Sequence, residues 1–120
     1  MKDGKQVRLL VCGGRDYTDK AKIYNVLDIL HEDYDVDVLI DGAARGADSF
    51  ASQWAKDRGI ENLRFPADWK AHGRCAGPKR NRRMLEEGTP GMFVAFGGGR
   101  GTQNMIEQAQ DWGISGWAFD

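Results

Sequence analysis

Three glycine-rich segments each follow a short apolar run and precede a stretch with helical periodicity. They are Gly13–Gly14, Gly42–Gly46 and Gly97–Gly101. An apolar run that ends in glycine and leads into an amphipathic stretch is typical of a buried strand joined by a tight turn to a covering helix. Because parallel strands need a helical crossover between them, repetition of this unit predicts an α/β fold with a parallel sheet.

The pattern extends along the chain and predicts five strands alternating with four helices. The helices are expected after Thr18, up to Gly59, from about Pro78 to Glu87, and after Thr102, with the two threonines as N-caps. Right-handed crossovers place helices on both faces of the sheet, so residues 1–120 are predicted to form a single Rossmann-like three-layer domain. The predicted strands are Val7–Cys12, Val36–Ile40, Leu63–Phe65, Met92–Phe96 and Ile114–Phe119.

The composition is typical of a soluble globular protein, with 41% hydrophobic and 29% charged residues. The net charge of −1 argues against nucleic acid or a membrane as a nonspecific partner, because the chain as a whole has no positive field. No apolar run approaches the roughly 20 residues of a spanning helix, and no signal peptide is visible, so the cytoplasm is the expected compartment. Cys12 and Cys75 are expected to be free thiols.

The turns that follow parallel strands meet at one edge of the sheet, where such folds bind ligands. The three glycine-rich segments therefore predict one shared site. Arg80 joins them because its helix begins at the same edge. The candidate ligand-binding residues in the three segments are Gly13, Gly14, Arg15 and Asp16, then Gly42, Arg45, Gly46 and Asp48, and finally Gly98, Gly99, Arg100, Gly101 and Thr102.

The residue types in these segments suit a phosphorylated ligand. Glycine lets the backbone approach a ligand closely, and a helix start offers unpaired N–H groups to an anion. Arg15, Arg45 and Arg100 provide bidentate donors for phosphate, with Thr102 as a cap or an additional donor. Asp48 is suited to accept hydrogen bonds from ribose hydroxyls, or alternatively to favour the helix dipole within a tight strand-helix junction.

A basic stretch from Lys70 to Arg83 contains six positive charges and no carboxylate in fourteen residues. Three interpretations are open: a solvated helix face, a contact with nucleic-acid backbone, or neutralisation of a small phosphorylated ligand. The position of Arg80 favours the last of these. Trp69 just precedes the stretch and is suited either to stack on a base or to cover the core.

Four segments together resemble the YspA-like branch of the SLOG superfamily, across about residues 7 to 118. The resemblance implies a Rossmann-like fold and a nucleotide-derived ligand, such as an NAD-like or ADP-ribose-like compound or a signalling nucleotide. It also adds Asn81 to the candidate ligand-binding residues. The matching segments are Gly13-Gly14-Arg15-Asp16-Tyr17, Asp41-Gly42-x-x-x-Gly46-x-Asp48, Ala76-Gly77-Pro78-x-Arg80-Asn81 and Gly98-Gly99-Arg100-Gly101-Thr102-x-Asn104-Met105.

The same superfamily includes the LOG phosphoribohydrolases, whose motifs have only partial counterparts here. Arg80-Asn81-Arg82-Arg83-Met84 resembles Arg-Lys-x-x-Met with Asn in place of Lys, and Met105 occupies the position of the catalytic Glu. A thioether cannot transfer a proton, so LOG-type hydrolysis is not supported.

Three hypotheses about function follow. The first is a domain that binds a small nucleotide-derived ligand as a sensor, carrier or sequestering protein, without a resident cofactor or metal, as a monomer or a homo-oligomer. The second is a LOG-related hydrolase that cleaves an N-glycosidic or phosphate-linked bond with a displaced acid at Asp16, Asp41 or Asp48. The third is a DprA-like single-strand binder that uses the basic stretch and Trp69.

Overall fold

The five strands of the computed structural model, which describes residues 5–120, run parallel in the order β3-β2-β1-β4-β5. The predicted α/β fold with a parallel sheet is therefore confirmed. The winding direction reverses between β1 and β4, which pair from Leu9↔Met92 to Gly13↔Phe96. Ligands of such sheets bind beyond this reversal point. The strands are β1 (Arg8–Gly13), β2 (Val38–Asp41), β3 (Glu61–Arg64), β4 (Met92–Phe96) and β5 (Gly116–Phe119).

Two pairs of helices cover the two faces of the sheet. Side chains of β1 alternate between them: Leu9 and Val11 pack with the first two helices, whereas Leu10 and Cys12 pack with the last two. This alternation produces two buried layers and confirms the predicted three-layer arrangement. The helices are α1 (Lys20–Tyr34), α2 (Ala47–Arg58), α3 (Trp69–His72), α4 (Ala76–Glu86) and α5 (Arg100–Asp111).

The segment between β3 and α4, predicted from the sequence to be a loop, is helical for most of its length. It contains the single turn of α3 followed directly by a 3₁₀ turn, Gly73–Cys75. The Asp68 side chain begins α3 by accepting a hydrogen bond from the Ala71 N–H at 3.1 Å. A four-residue helix is too short to show apolar periodicity, so sequence analysis missed it.

The predicted N-caps of α1 and α5 are wrong by one and three residues. Asp19, not Thr18, caps α1, and its carboxylate accepts from the Lys22 N–H at 3.0 Å. Gly99 is the N-cap of α5, and Thr102 lies buried in the first turn. The Thr102 side chain packs against the backbone of Gly98 instead of capping the helix.

Three strands also begin two residues away from the predicted start. The second strand begins at Val38 because the Val36 N–H donates to His31 Nδ1 at 3.0 Å and not to a strand. The third begins earlier, at Glu61, and its polar residues were not recognised as a strand. The fifth is shorter and begins at Gly116. Within residues 5–120, no helix has the length and apolar character needed to cross a membrane.

Candidate functional site

A cleft of about 570 Å³ opens at the carboxyl edge of the sheet, over the ends of β1 and β4. Its floor includes Cys12, Gly13 and Met105, and its walls come from the β1–α1 loop, α3, α4 and the N-terminus of α5. The chain reverses its winding direction at this point, so the cleft lies where the fold class binds ligands.

The start of α5 is rich in glycine, and one of these glycines has a backbone conformation that excludes other residues. Gly98 has a φ of +102°, and a Cβ there would overlap the Thr102 side chain, so no other residue fits without rearrangement. A Cβ at Gly99 or Gly101, by contrast, would meet nothing within 4 Å. Both residues line the cleft.

Positive charges outnumber negative charges in the lining of the cleft. Among the described residues, the lining contains four arginines, Arg15, Arg74, Arg80 and Arg100, and one carboxylate, that of Asp48. Burial is the main reason why the pKa of Arg80 is lowered, but an arginine stays protonated at any physiological pH. The cleft is therefore strongly positive, although the chain as a whole carries a net charge of −1.

Arg80 and Asn81 connect the walls of the cleft to each other. Arg80 Nη1 donates to the Gly42 carbonyl, and its Nε donates to Asn81 Oδ1 at 2.9 Å. The buried Asn81 amide then donates to the Gly101 carbonyl at 3.2 Å and to Asn104 Oδ1 at 3.1 Å. Asn81 therefore fixes the start of α5 against α4. Its side-chain oxygen and nitrogen are both engaged in these hydrogen bonds within the protein.

The three acids considered for hydrolysis have different surroundings. Asp16 is exposed and pairs with Arg45 at 3.5 Å, away from the cleft lining. Asp41 is fully buried, and its carboxylate accepts from Arg64 Nε at 3.0 Å and from Asn62 Nδ2 at 2.8 Å. Of the three, Asp48 alone reaches the cleft, so acid chemistry by any of them depends on Asp48.

Asp48 is held by the turn that precedes α2. Its Oδ2 accepts from the Gly42 N–H at 3.0 Å and from the Ala44 N–H at 3.4 Å. Burial, as the main cause, raises the pKa of Asp48 to about 7, and the negative charge of the Asp41 carboxylate is the next largest cause. Asp48 therefore changes its charge within the physiological pH range.

The structure brings ten of the predicted residues together in the cleft lining and places five outside it. Two of the outside residues shape turns: Gly46, at a φ of +76°, packs against the backbone of Gly14 and Arg15, and Gly42 packs against Arg80. Asp16, Arg45 and Gly98 are the other three. The residues in the lining are Gly13, Gly14, Arg15, Asp48, Arg80, Asn81, Gly99, Arg100, Gly101 and Thr102.

The cleft also contains side chains outside the fifteen candidate ligand-binding residues, among them Trp69, for which base stacking was one of two interpretations. Trp69 and Arg74 belong to the segment that was predicted to be a loop, and Asn104 and Met105 lie on α5. The Arg15 guanidinium carbon lies 5.1 Å from the centroid of the Trp69 ring. The aromatic and basic character of residues 69–74 was the available signal, but without α3 nothing placed that segment at the cleft.

The basic stretch is divided between two environments. Arg74 and Arg80 line the cleft, whereas Arg82 and Arg83 form ion pairs with Glu86 and Glu87 one turn further along α4. The guanidinium of Arg83 also lies over the Phe65 ring. Two of the six positive charges are therefore neutralised along the helix, and two others face the cleft.

Nucleophilic and metal chemistry find little support in the described residues. Cys12 is buried, and desolvation raises the pKa of its thiol far above the usual range, so the thiol stays protonated at neutral pH. Cys75 is exposed, and both cysteines are free. Among residues 5–120, no three His, Cys, Asp or Glu side chains cluster in a way that would hold a metal ion.

Comparison with known proteins relates the chain to one sequence family and to one solved fold. Residues 7–72 match the YspA, cpYpsA-related SLOG family. Gene 61 protein of Mycobacterium phage D29 is 36% identical over 115 residues, which cover 89% of this chain and 91% of the phage protein. The X-ray structure of DNA processing protein A (DprA) from Streptococcus pneumoniae matches with a TM-score of 0.76 at 18% identity, over 94% of this chain and 50% of DprA. This chain therefore shares its fold with about half of DprA.

Proposed function

Because the chain belongs to the YspA, cpYpsA-related SLOG family, we propose that its cleft binds a nucleotide or nucleotide-derived ligand, with a phosphate at the N-terminus of α5. The observation that carries this proposal is the glycine-lined start of α5, which faces Arg15, Arg74 and Arg80. Backbone N–H groups at a helix start, the helix dipole and nearby guanidinium groups all favour a phosphate.

The capping of the helices supports an anion at this position. Asp19 and Asp68 cap α1 and α3 with their side chains. Gly46 and Gly99, the N-caps of α2 and α5, provide no side-chain hydrogen bond. A carboxylate cap satisfies N–H groups that are otherwise left without a partner. A ligand phosphate at α5 would supply the acceptor that this chain provides elsewhere with aspartate.

The size of the cleft and its chemistry favour binding over hydrolysis. A volume of about 570 Å³ falls within the range of small-molecule sites. Met105 is buried in the cleft lining where a LOG enzyme has its catalytic Glu, and a thioether does not transfer protons. We therefore place the protein among sensors, carriers or sequestering proteins for a ligand such as AMP, NAD or ADP-ribose.

Isothermal titration calorimetry with AMP, ADP-ribose and NAD tests this proposal. At least one of them should bind with a stoichiometry of one, and it should raise the melting temperature as its concentration increases. Inorganic sulfate should compete, since it occupies the same anion site. Absence of binding by all three at millimolar concentration would refute the proposed function.

A single-stranded nucleic acid is the second candidate ligand. The fold match to DNA processing protein A, together with an exposed Trp69 beside a basic cleft, favours it. A strand that binds through counterion release alone loses most of its affinity between about 50 and 200 mM salt. Tight binding of an oligonucleotide at about 200 mM salt, with AMP failing to compete, would make the strand the better ligand.

A further inference from the structure

Trp69 forms part of the cleft wall with an indole that remains 49% exposed. It is the first residue of α3, whose turn is closed by the Asp68 cap. The Cη2 edge of the ring lies against Gly77 in the first turn of α4, 3.5 Å from the position of a Cβ there. The ring therefore rests on α4 and remains open to the cleft.

The Arg15 guanidinium reaches this indole from the opposite side of the cleft. Its carbon lies 5.1 Å from the ring centroid, in the geometry of a cation–π contact. Arg15 belongs to the β1–α1 loop, beside Gly13 and Gly14, which line the floor. A planar cation thus lies over the indole, and another planar π system would suit the same position.

We propose that Trp69 is the platform on which the nucleobase of a phosphorylated nucleoside stacks, and that the base takes the place of the Arg15 guanidinium. Arg15 is then released to pair with the phosphate at α5. This inference rests on the proposed function and adds the part of the ligand that phosphate contacts do not recognise.

The ligand class follows from the chemistry of the two ends of the cleft. The α5 end offers backbone N–H groups and guanidinium groups, whereas the α3 end offers an aromatic face. Stacking tolerates any base but strengthens with ring area, so purine nucleotides bind more tightly than pyrimidine nucleotides at equal phosphate number. A sugar phosphate without a base uses only the α5 end.

AMP and ribose 5-phosphate separate the two ends experimentally. Trp69→Ala should weaken AMP binding about 5- to 150-fold, the range for loss of one stacked base, and should leave ribose 5-phosphate unchanged or slightly tighter. Trp69→Phe should restore much of the AMP affinity. Trp112→Ala is the matched control, because Trp112 is 51% exposed but lies outside the cleft. AMP should also quench tryptophan fluorescence in the wild type and not in Trp69→Phe.

A short oligodeoxyadenylate distinguishes the two sources of a stacked base. If the free nucleotide is the ligand, AMP binds at least as tightly as the oligonucleotide at about 200 mM salt. If the source is a strand, the oligonucleotide binds more tightly and is equally sensitive to Trp69→Ala.

The inference and the proposed function fail in different ways. Equal AMP affinity in wild type and Trp69→Ala, with ribose 5-phosphate still bound, would overturn the platform and leave the phosphate site standing. Failure of AMP, ribose 5-phosphate and the oligonucleotide to bind at all would overturn both. Circular dichroism of each variant should match the wild type, since both tryptophans are half exposed.

Discussion

Asp48 and Arg80 are joined through a single residue, Gly42. The Gly42 N–H donates to Asp48 Oδ2 at 3.0 Å, and its carbonyl accepts from Arg80 Nη1. A Cβ on Gly42 would lie 2.6 Å from Arg80 Nη1 and 3.0 Å from Asp48 Oδ2, so any larger residue there would displace the Arg80 guanidinium. The side chains of Asp48 and Arg80, which carry opposite charges, therefore both hydrogen-bond to the backbone of Gly42. We expect a substitution of either residue to affect the hydrogen bond of the other.

Asp48 should make stability depend on pH near neutrality. Its pKa is raised from 3.8 to about 7 in the folded protein, so the folded state favours the protonated acid. The stabilisation is present in full below about pH 4 and is lost as pH rises through about 7. The Asp48→Asn variant has no carboxyl group to ionise at this position, so its stability does not fall in this way as pH rises. Measured by chemical denaturation, the free energy of unfolding of the variant should increase relative to that of the wild type as pH rises from about 4 to about 8, by up to about 4 kcal/mol.

The comparison of wild type with Asp48→Asn is the control, because ionisable groups that do not interact with Asp48 affect both proteins alike. Asp28, whose pKa is lowered mainly by its hydrogen bond from Arg58, gives the opposite trend at acid pH in both. A constant difference between wild type and Asp48→Asn across this pH range would show that Asp48 is ionised throughout.

Gly101→Val should abolish nucleotide binding while the fold is retained. Gly101 lies in the first turn of α5 and lines the cleft, and a Cβ there meets no atom within 4 Å. The Cβ of valine would not clash with the protein, and we expect its methyl groups to occupy the space of the proposed phosphate. Calorimetry with AMP should show at least a hundredfold loss of affinity.

Gly91→Val is the matched control for this variant. A Cβ at Gly91 would also meet no atom within 4 Å, and Gly91 lies outside the cleft. Its AMP affinity should equal that of the wild type. Undiminished binding in a folded Gly101→Val protein would remove the start of α5 from the site.

Asn81→Ala should destabilise the protein by about 1 to 3 kcal/mol, measured by urea unfolding. The substitution removes the amide that donates to the Gly101 carbonyl and to Asn104 Oδ1, and it leaves Arg80 Nε without its acceptor. Gln103→Ala, which removes only an exposed hydrogen bond to Glu107, should change stability by less than about 0.5 kcal/mol. Equal effects of the two substitutions would contradict the role given to Asn81.

Wild-type protein should not release adenine from AMP at an enzymatic rate, because Met105 stands where a carboxylate would act. Chromatography of AMP incubations should detect no adenine beyond a no-protein control. Loss of a general acid or base lowers rates by about 10² to 10⁴, so incubations of several hours are needed to establish this absence. Rapid release that is abolished in Asp48→Asn would instead establish hydrolysis that depends on Asp48.

The sequence predicted the parallel sheet and the edge at which the cleft opens because both depend on local patterns. Apolar runs ending in glycine mark the ends of β1, β2 and β4, and topology then brings those ends together. The sequence did not predict that the Asp41 carboxylate is engaged by Arg64 and Asn62. Nor did it predict that Asp16 and Arg45 pair outside the cleft. Such partners are 21 to 29 residues apart, and no pattern along the chain encodes their contact.

The sequence was less informative still about the position of Trp69 in the fold. The residues around Trp69 are basic and aromatic, but its contact with Arg15 joins the β1–α1 loop to α3, 54 residues further along the chain, and depends on that single-turn helix. Short helices are fixed by tertiary packing and by caps such as Asp68, not by their own periodicity.

The glycine N-cap of α5 has a consequence for how long the protein persists in a cell. A capping side chain is worth about 1 kcal/mol, and α5 lacks one. An anion bound there would add stability in proportion to the logarithm of its concentration. Proteases act on the transiently unfolded fraction, so the empty protein would be degraded faster than the occupied one. Abundance itself would then report how much ligand the cell contains.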